Sequence, residues 1–207
     1  MQDKQIIINV GRQLGSGGHD IGRMLAMDFG AKYYDRELLN LAAKESGLSE
    51  HVFEQNDERK SFLRTFLHLP GGMASASYAR QGFSQDSVFQ FQSDAIRKAA
   101  DEGSCVFVGR CADYVLRDYK NVVNIFITAS MEFRVEQVMA KQSFTSPLEA
   151  RRFIEQRESR RADYYNYYTG KKWGHASSYD LCVDSSILGL VDTEKFIAQF
   201  IRKRFGL

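Results

Sequence analysis

Ile6-Ile7-Ile8-Asn9-Val10-Gly11-Arg12-Gln13-Leu14-Gly15-Ser16-Gly17-Gly18-His19-Asp20-Ile21-Gly22 is the stretch whose reading decides the fold. Residues 6–10 form an apolar run that stops at a glycine, which suits a parallel strand covered on both faces. Beyond the glycines, Ile21, Leu25 and Phe29 recur at helical spacing. Strand, glycine turn and helix are the first half of a βαβ unit. A helix N-terminus offers unpaired N–H groups, and a turn free of side chains lets phosphate oxygens approach them. Arg12, Gly15, Ser16, Gly17, Gly18, His19 and Asp20 are therefore the candidate phosphate-binding residues.

A standard P-loop adds a lysine for the outer phosphates and a Ser or Thr for magnesium. Here Gly18 stands nearest the lysine position, and His19 or Asp20 stands at the hydroxyl position. Arg12 is the first candidate to replace the lysine, because it lies in the same turn and has reach. Two other readings stay open at this point. The turn could simply join strand to helix. A dinucleotide-binding turn is the other, with Asp35 loosely placed as its ribose acid, but G-x-G-x-x-G does not occur in the right phase.

Working outward, residues 32–35, 105–108, 122–128 and 179–183 read as four further strands, and helical patterns fall at 36–45, 53–67, 89–102, 131–140, 148–168 and 193–204. Residues 69–77 read as a loop. Five short apolar runs separated by helices predict an α/β three-layer sandwich around a five-stranded, mostly parallel sheet. The chain is expected to form one domain over 1–207, with insertions at about 46–95 and about 145–175.

Composition limits the function classes. The 207 residues carry a net charge of +2, which gives no global nucleic-acid signal. Three widely spaced cysteines suggest a reduced intracellular protein, and Cys105 and Cys182 are expected to be buried packing residues. The opening residues do not read as a signal peptide, and no segment is apolar over a membrane-spanning length. The expectation is a cytoplasmic protein that uses neither nucleic acid nor membrane.

Arg157, Arg160 and Arg161 fall at i, i+3 and i+4 on one predicted helix, where their planar forks suit phosphate oxygens. Arg151 and Arg152 read instead as a solvated face. Tyr164, Tyr165, Tyr167, Tyr168, Lys171, Lys172 and Trp173 either stack on a base or dock this helix onto the body. His19 either donates to a phosphate or caps its helix. His51, His68 and His175 show no metal-ligand spacing, and no protein metal site is expected.

Val108-Gly109-Arg110-Cys111-Ala112-Asp113 follows a strand, Asn124–Arg134 reads as strand, turn and helix, and Tyr179–Ser186 reads as strand and turn. Together with the glycine turn and Tyr34-Asp35, these segments resemble the cytidylate kinase family, in its cytidylate kinase-like branch. The resemblance spans nearly the whole chain and is weakest over 50–95. It implies a P-loop nucleoside monophosphate kinase fold with a helical lid, and ATP-dependent phosphoryl transfer with ATP and Mg2+. Cytidylate (CMP or dCMP) is the default acceptor. It implies a mobile lid whose arginines, Arg157, Arg160 and Arg161, act catalytically over the phosphates. Arg110 and Asp35 are implied to hold the acceptor nucleotide, with Arg36 as a weaker candidate. Cys111 stands where the family has an acid, and Asp113 is the nearby replacement. A non-catalytic nucleotide- or phosphate-binding regulatory module and a kinase for another small acceptor remain alternatives.

Overall fold

In a computed structural model, residues 5–35 and 85–207 are described. Strands β1 (Ile7–Arg12), β2 (Lys32–Tyr34), β3 (Cys105–Val108), β4 (Val122–Thr128) and β5 (Leu181–Asp184) form one sheet in the order β2-β3-β1-β4-β5. Every pairing is parallel. The helices are α1 (Gly18–Asp28), α2 (Gln85–Glu102), α3 (Ala112–Val115), α4 (Met131–Lys141), α5 (Pro147–Thr169) and α6 (Ser185–Phe205).

Alternation along the strands sorts the core into two faces. Ile6, Ile8 and Val10 pack with Ile21 and Leu25 of α1 and Ile197 and Ile201 of α6. Ile7 and Phe107 point the other way, onto Ile96 and Ala99 of α2 and Val115 and Leu116 around α3. Both faces of the central strands are thus dry, as parallel sheets require. A third, smaller cluster joins α4 to α5 through Val138, Ala150 and Ile154, with Leu14 of the glycine turn packed against it.

Several expectations are adjusted by the structure. β1 runs on through Gly11 and Arg12, which pair with Phe126 and Ile127 of β4, so Arg12 ends a strand and does not belong to the turn. The last helix starts at Ser185, earlier than its apolar spacing suggests, because the Asp184 carboxylate caps the Ser186 N–H and the helix bends at Gly189. Cys105 is buried, but Cys182 is exposed, because β5 is an edge strand and its outer positions are uncovered. The helices expected at 36–45 and 53–67, the loop at 69–77 and the candidate Arg36 lie outside the described residues.

Candidate functional site

The carboxyl ends of β1 and β3 meet at the N-terminus of α1. Between β1 and α1 the chain turns tightly on itself. The Gln13 N–H donates to Ile127 O at 3.0 Å, and the Ser16 hydroxyl donates to Gln13 O at 3.0 Å. Ser16 is fully buried, and its own carbonyl accepts from the Ser185 hydroxyl at 2.7 Å. Ser16 therefore holds the turn closed from inside. Gly15 and Gly17 adopt left-handed backbones, with φ of 83° and 73°. A Cβ on Gly15 would lie 2.6 Å from the Arg134 carbonyl oxygen.

Gly17 caps α1 without any side-chain hydrogen bond. The first α-helical bond runs from the Ile21 N–H to Gly17 O, so the N–H groups of Gly18, His19 and Asp20 precede it. They form a positive helix end that is uncapped among the described residues. Asp20 is paired at the surface with Lys141, Nζ to Oδ2 at 3.0 Å.

Arg12 crosses this helix end. A Cβ on Gly18 would lie 2.4 Å from Arg12 Cβ and 2.8 Å from its Cγ. At the far end of the side chain, a Cβ on Gly109 would lie 2.2 Å from Arg12 Nη1. Arg12 Nη2 is 3.0 Å from His19 Nε2, while the buried Nε has no hydrogen-bond partner among the described residues. Burial, reinforced by the charges of Arg161 and Arg110, pulls the Arg12 guanidinium well below its ordinary pKa. The group stays protonated nonetheless. Three guanidinium groups from β1, the β3 turn and α5 therefore share one region, with Asp35 as the carboxylate that offsets them at Arg12.

α5 is held against the glycine turn. Glu158 accepts from the Leu14 N–H at 3.2 Å and from Arg134 Nη1 at 2.6 Å, in a largely buried ion pair. Arg161 Nη1 reaches Arg12 O at 3.5 Å. Burial lowers the pKa of Arg161, Glu158 opposing the shift and Arg157 adding to it. Arg157 lies over the Phe153 ring, 4.8 Å from its centroid, and Arg160 is exposed. On α5, Arg161 is brought against Arg12. Farther along the helix, Tyr165 Oη donates to Asp113 at 2.7 Å, Tyr168 Oη donates to Asp86 at 3.0 Å and the Tyr168 ring stacks on Phe89. Trp173 meets Phe126 edge-on. These aromatic contacts dock α5 and the segment after it onto the body.

Gly109, Arg110 and Cys111 all have left-handed backbones, with φ of 81°, 61° and 56°. Such conformations cost non-glycine residues about 1–2 kcal/mol each, and strain of this kind gathers at functional sites. The Arg110 guanidinium lies 5.9 Å from the centre of the Tyr164 ring. Cys111 is a packing residue, its thiol pushed up to about 12, mainly by burial. Burial also raises the pKa of Asp113, against the opposing pull of Tyr165 and Lys171. Asp35 is 4.0 Å from Arg23. Among the described residues, no three His, Cys, Asp or Glu side chains gather as a metal cluster.

Residue-type reasoning missed two parts of this site. Nothing local marks Glu158 as the clamp on Leu14. Gly109 carried a signal in the Gly109-Arg110 pair, but its role as a slot for Arg12 depends on two strands being adjacent.

A parallel five-stranded sheet with a glycine turn opening α1 gives an α/β protein with the fold of the P-loop kinases. The chain belongs to the cytidylate kinase-like family, whose description matches residues 7–187. A cytidylate kinase from Methanopyrus kandleri is 27% identical over 190 residues, covering 87% of this chain and 85% of that protein. Among solved structures, an uncharacterized protein from Eubacterium ventriosum shares 27% identity with a TM-score of 0.72, covering 95% of this chain and 98% of its own. A shikimate kinase from Bacteroides thetaiotaomicron (TM-score 0.57, 13% identity, 99% and 100% covered) shares the fold. So does a gluconokinase from Sinorhizobium meliloti (TM-score 0.52, 10% identity, 97% of each chain covered). No helix among the described residues is long and apolar enough to cross a membrane.

Proposed function

We propose that the protein transfers the γ-phosphoryl group of ATP to a nucleoside monophosphate, with cytidylate as the first acceptor to test. The observation that carries this reading is the meeting of Arg12, Arg110 and Arg161 beside the uncapped N-terminus of α1. Like charges brought together and partly dehydrated repel one another unless an anion sits among them. The buried Arg12 Nε is a donor that such an anion would satisfy. The family relationship and the cytidylate kinase from Methanopyrus kandleri favour a nucleotide as that anion.

In this reading the donor phosphates lie on the N–H groups of Gly18, His19 and Asp20, and Arg12 supplies the charge usually given by a P-loop lysine. Arg161, with Arg157 and Arg160 beside it on α5, neutralises charge on the transferred group from the lid side. Arg110 and Asp35, with Arg36, orient the acceptor, one of whose phosphate oxygens attacks the γ-phosphorus as ADP leaves. Asp113 supports the acceptor side indirectly, by fixing Tyr165 of α5. The protein's contribution is positioning and electrostatics, since phosphoryl transfer requires no covalent catalyst. Magnesium bound to the donor would shield the phosphate charge, as phosphoryl transfer generally requires.

Incubation with ATP, magnesium and a panel of nucleoside monophosphates tests the proposal. Diphosphate formation is expected with at least one pyrimidine monophosphate, and none without magnesium. ATP binding without any product would replace this reading with a regulatory binding module. Arg12→Ala is expected to lower turnover by about 10²–10³-fold, the range seen when a single transition-state donor is removed.

A further inference from the structure

Arg12, His19 and Tyr33 form a chain with a fixed direction. Arg12 Nη2 lies 3.0 Å from His19 Nε2, and His19 Nδ1 lies 3.1 Å from Tyr33 Oη. A guanidinium has donors and no acceptor. His19 Nε2 must therefore accept, which places the ring proton on Nδ1, and Nδ1–H then donates to Tyr33 Oη. Protonating Nε2 as well would set two donors face to face.

The rest of the path explains why Arg12 needs such a partner. Its side chain leaves the end of β1, passes over Gly18 and ends above Gly109. A long arginine stem in free rotation would lose binding energy each time it had to be ordered. Gly18 and Gly109 remove the Cβ atoms that would block the path, and the His19 lone pair holds its end. We propose that His19 is a positioning residue. As the neutral Nδ1–H tautomer it accepts from Arg12 and fixes that guanidinium across the N-terminus of α1 for phosphate binding. This rests on the reading that Arg12 contributes the phosphate-binding charge.

The groups around His19 support a neutral ring. Arg12 reaches it from β1, Arg23 from α1 itself, Arg161 from α5, and Tyr33 and Asp35 from β2 and its end. Burial, then the Arg12 charge, lower its pKa from 6.5 to about 4, with Asp35 opposing. His19 thus works as a fixed acceptor and does not switch near neutral pH.

The test pairs NMR with binding. In protein labelled with 15N at histidine, the resonance lost in His19→Gln identifies the ring. It is expected to show a protonated Nδ1, an unprotonated Nε2 and no titration between pH 5 and 8. MgATP affinity is then measured for the wild type, His19→Gln and His19→Leu, with thermal melting to confirm that each folds. Gln carries an acceptor to the Nε2 position and is expected to keep affinity within about threefold, while Leu loses roughly tenfold or more. An Nε2–H tautomer, a ring that titrates near neutral pH, or wild-type affinity in His19→Leu would overturn the proposal. A wild type that binds no MgATP defeats the kinase reading, and the tautomer alone then decides whether His19 holds Arg12.

Discussion

Two turns leave adjacent strands at the same end of the sheet, and both use left-handed backbone. The turn after β1 places glycine at its positive-φ positions, Gly15 and Gly17. The turn after β3 continues through Arg110 and Cys111, which do carry side chains. Packing explains the first. A side chain at Gly15 would run into the Arg134 backbone, and one at Gly17 into Leu190. The second turn needs its side chains. Arg110 brings charge beside Tyr164, and Cys111 is buried at the start of α3. One turn has given up side chains so that other elements can approach. The other keeps them and bears the strain.

Glycine-to-alanine changes in the two turns should therefore fail differently. The largest stability loss is expected for Gly15→Ala, about 3 kcal/mol, because left-handed strain adds to a collision with backbone that cannot move aside. Chemical denaturation measures this, and a loss below 1 kcal/mol would mean that α4 can shift. Removing the clamp with Glu158→Ala should cost a similar amount, about 3 kcal/mol, because it strands the buried Arg134 charge. Gly109→Ala should cost only about 1–2 kcal/mol of stability, since it meets the flexible end of Arg12. Its main effect is expected on ATP affinity, which titration calorimetry reads directly. The smallest effect comes from comparing Arg110→Gly with Arg110→Ala. Both remove the cation and should impair acceptor use equally, but the glycine variant should be more stable by about 1 kcal/mol, which isolates the strain.

The His19 contact also links this region to pH. The unfolded ring takes up a proton below pH 6.5, whereas the folded ring resists until about pH 4. The unfolded state binds more protons across that interval, so stability falls as the pH is lowered through it, by up to about 3 kcal/mol. Wild type should show this slope in denaturant titrations and His19→Gln should show less of it.

The sheet and its glycine turn were legible because their signals are local. Apolar runs ending at glycine read as buried strands, and Ile21 and Leu25 at helical spacing read as the inner face of α1. Most of the later elements were placed to within a few residues, but α3 went unread, capping by Asp184 began α6 early and Cys182 fell on an edge strand. Residues 36–84 lie outside the described structure, and the acceptor-side expectations there, including Arg36, stand as proposals.

The sequence alone determined the parallel α/β frame and the missing lysine, since periodicity and a glycine-rich turn act through neighbours in the chain. Tertiary structure decided which groups gather beside that turn. Arg12, Gly109 and Arg161 are far apart in sequence and meet only because β1 lies beside β3 and α5 folds back over the turn. Gly18, which stands nearest the lysine position of a standard P-loop, is also the residue that lets Arg12 pass. That passage depends on the volume left by an absent Cβ, which becomes visible only when the strands and helices are assembled.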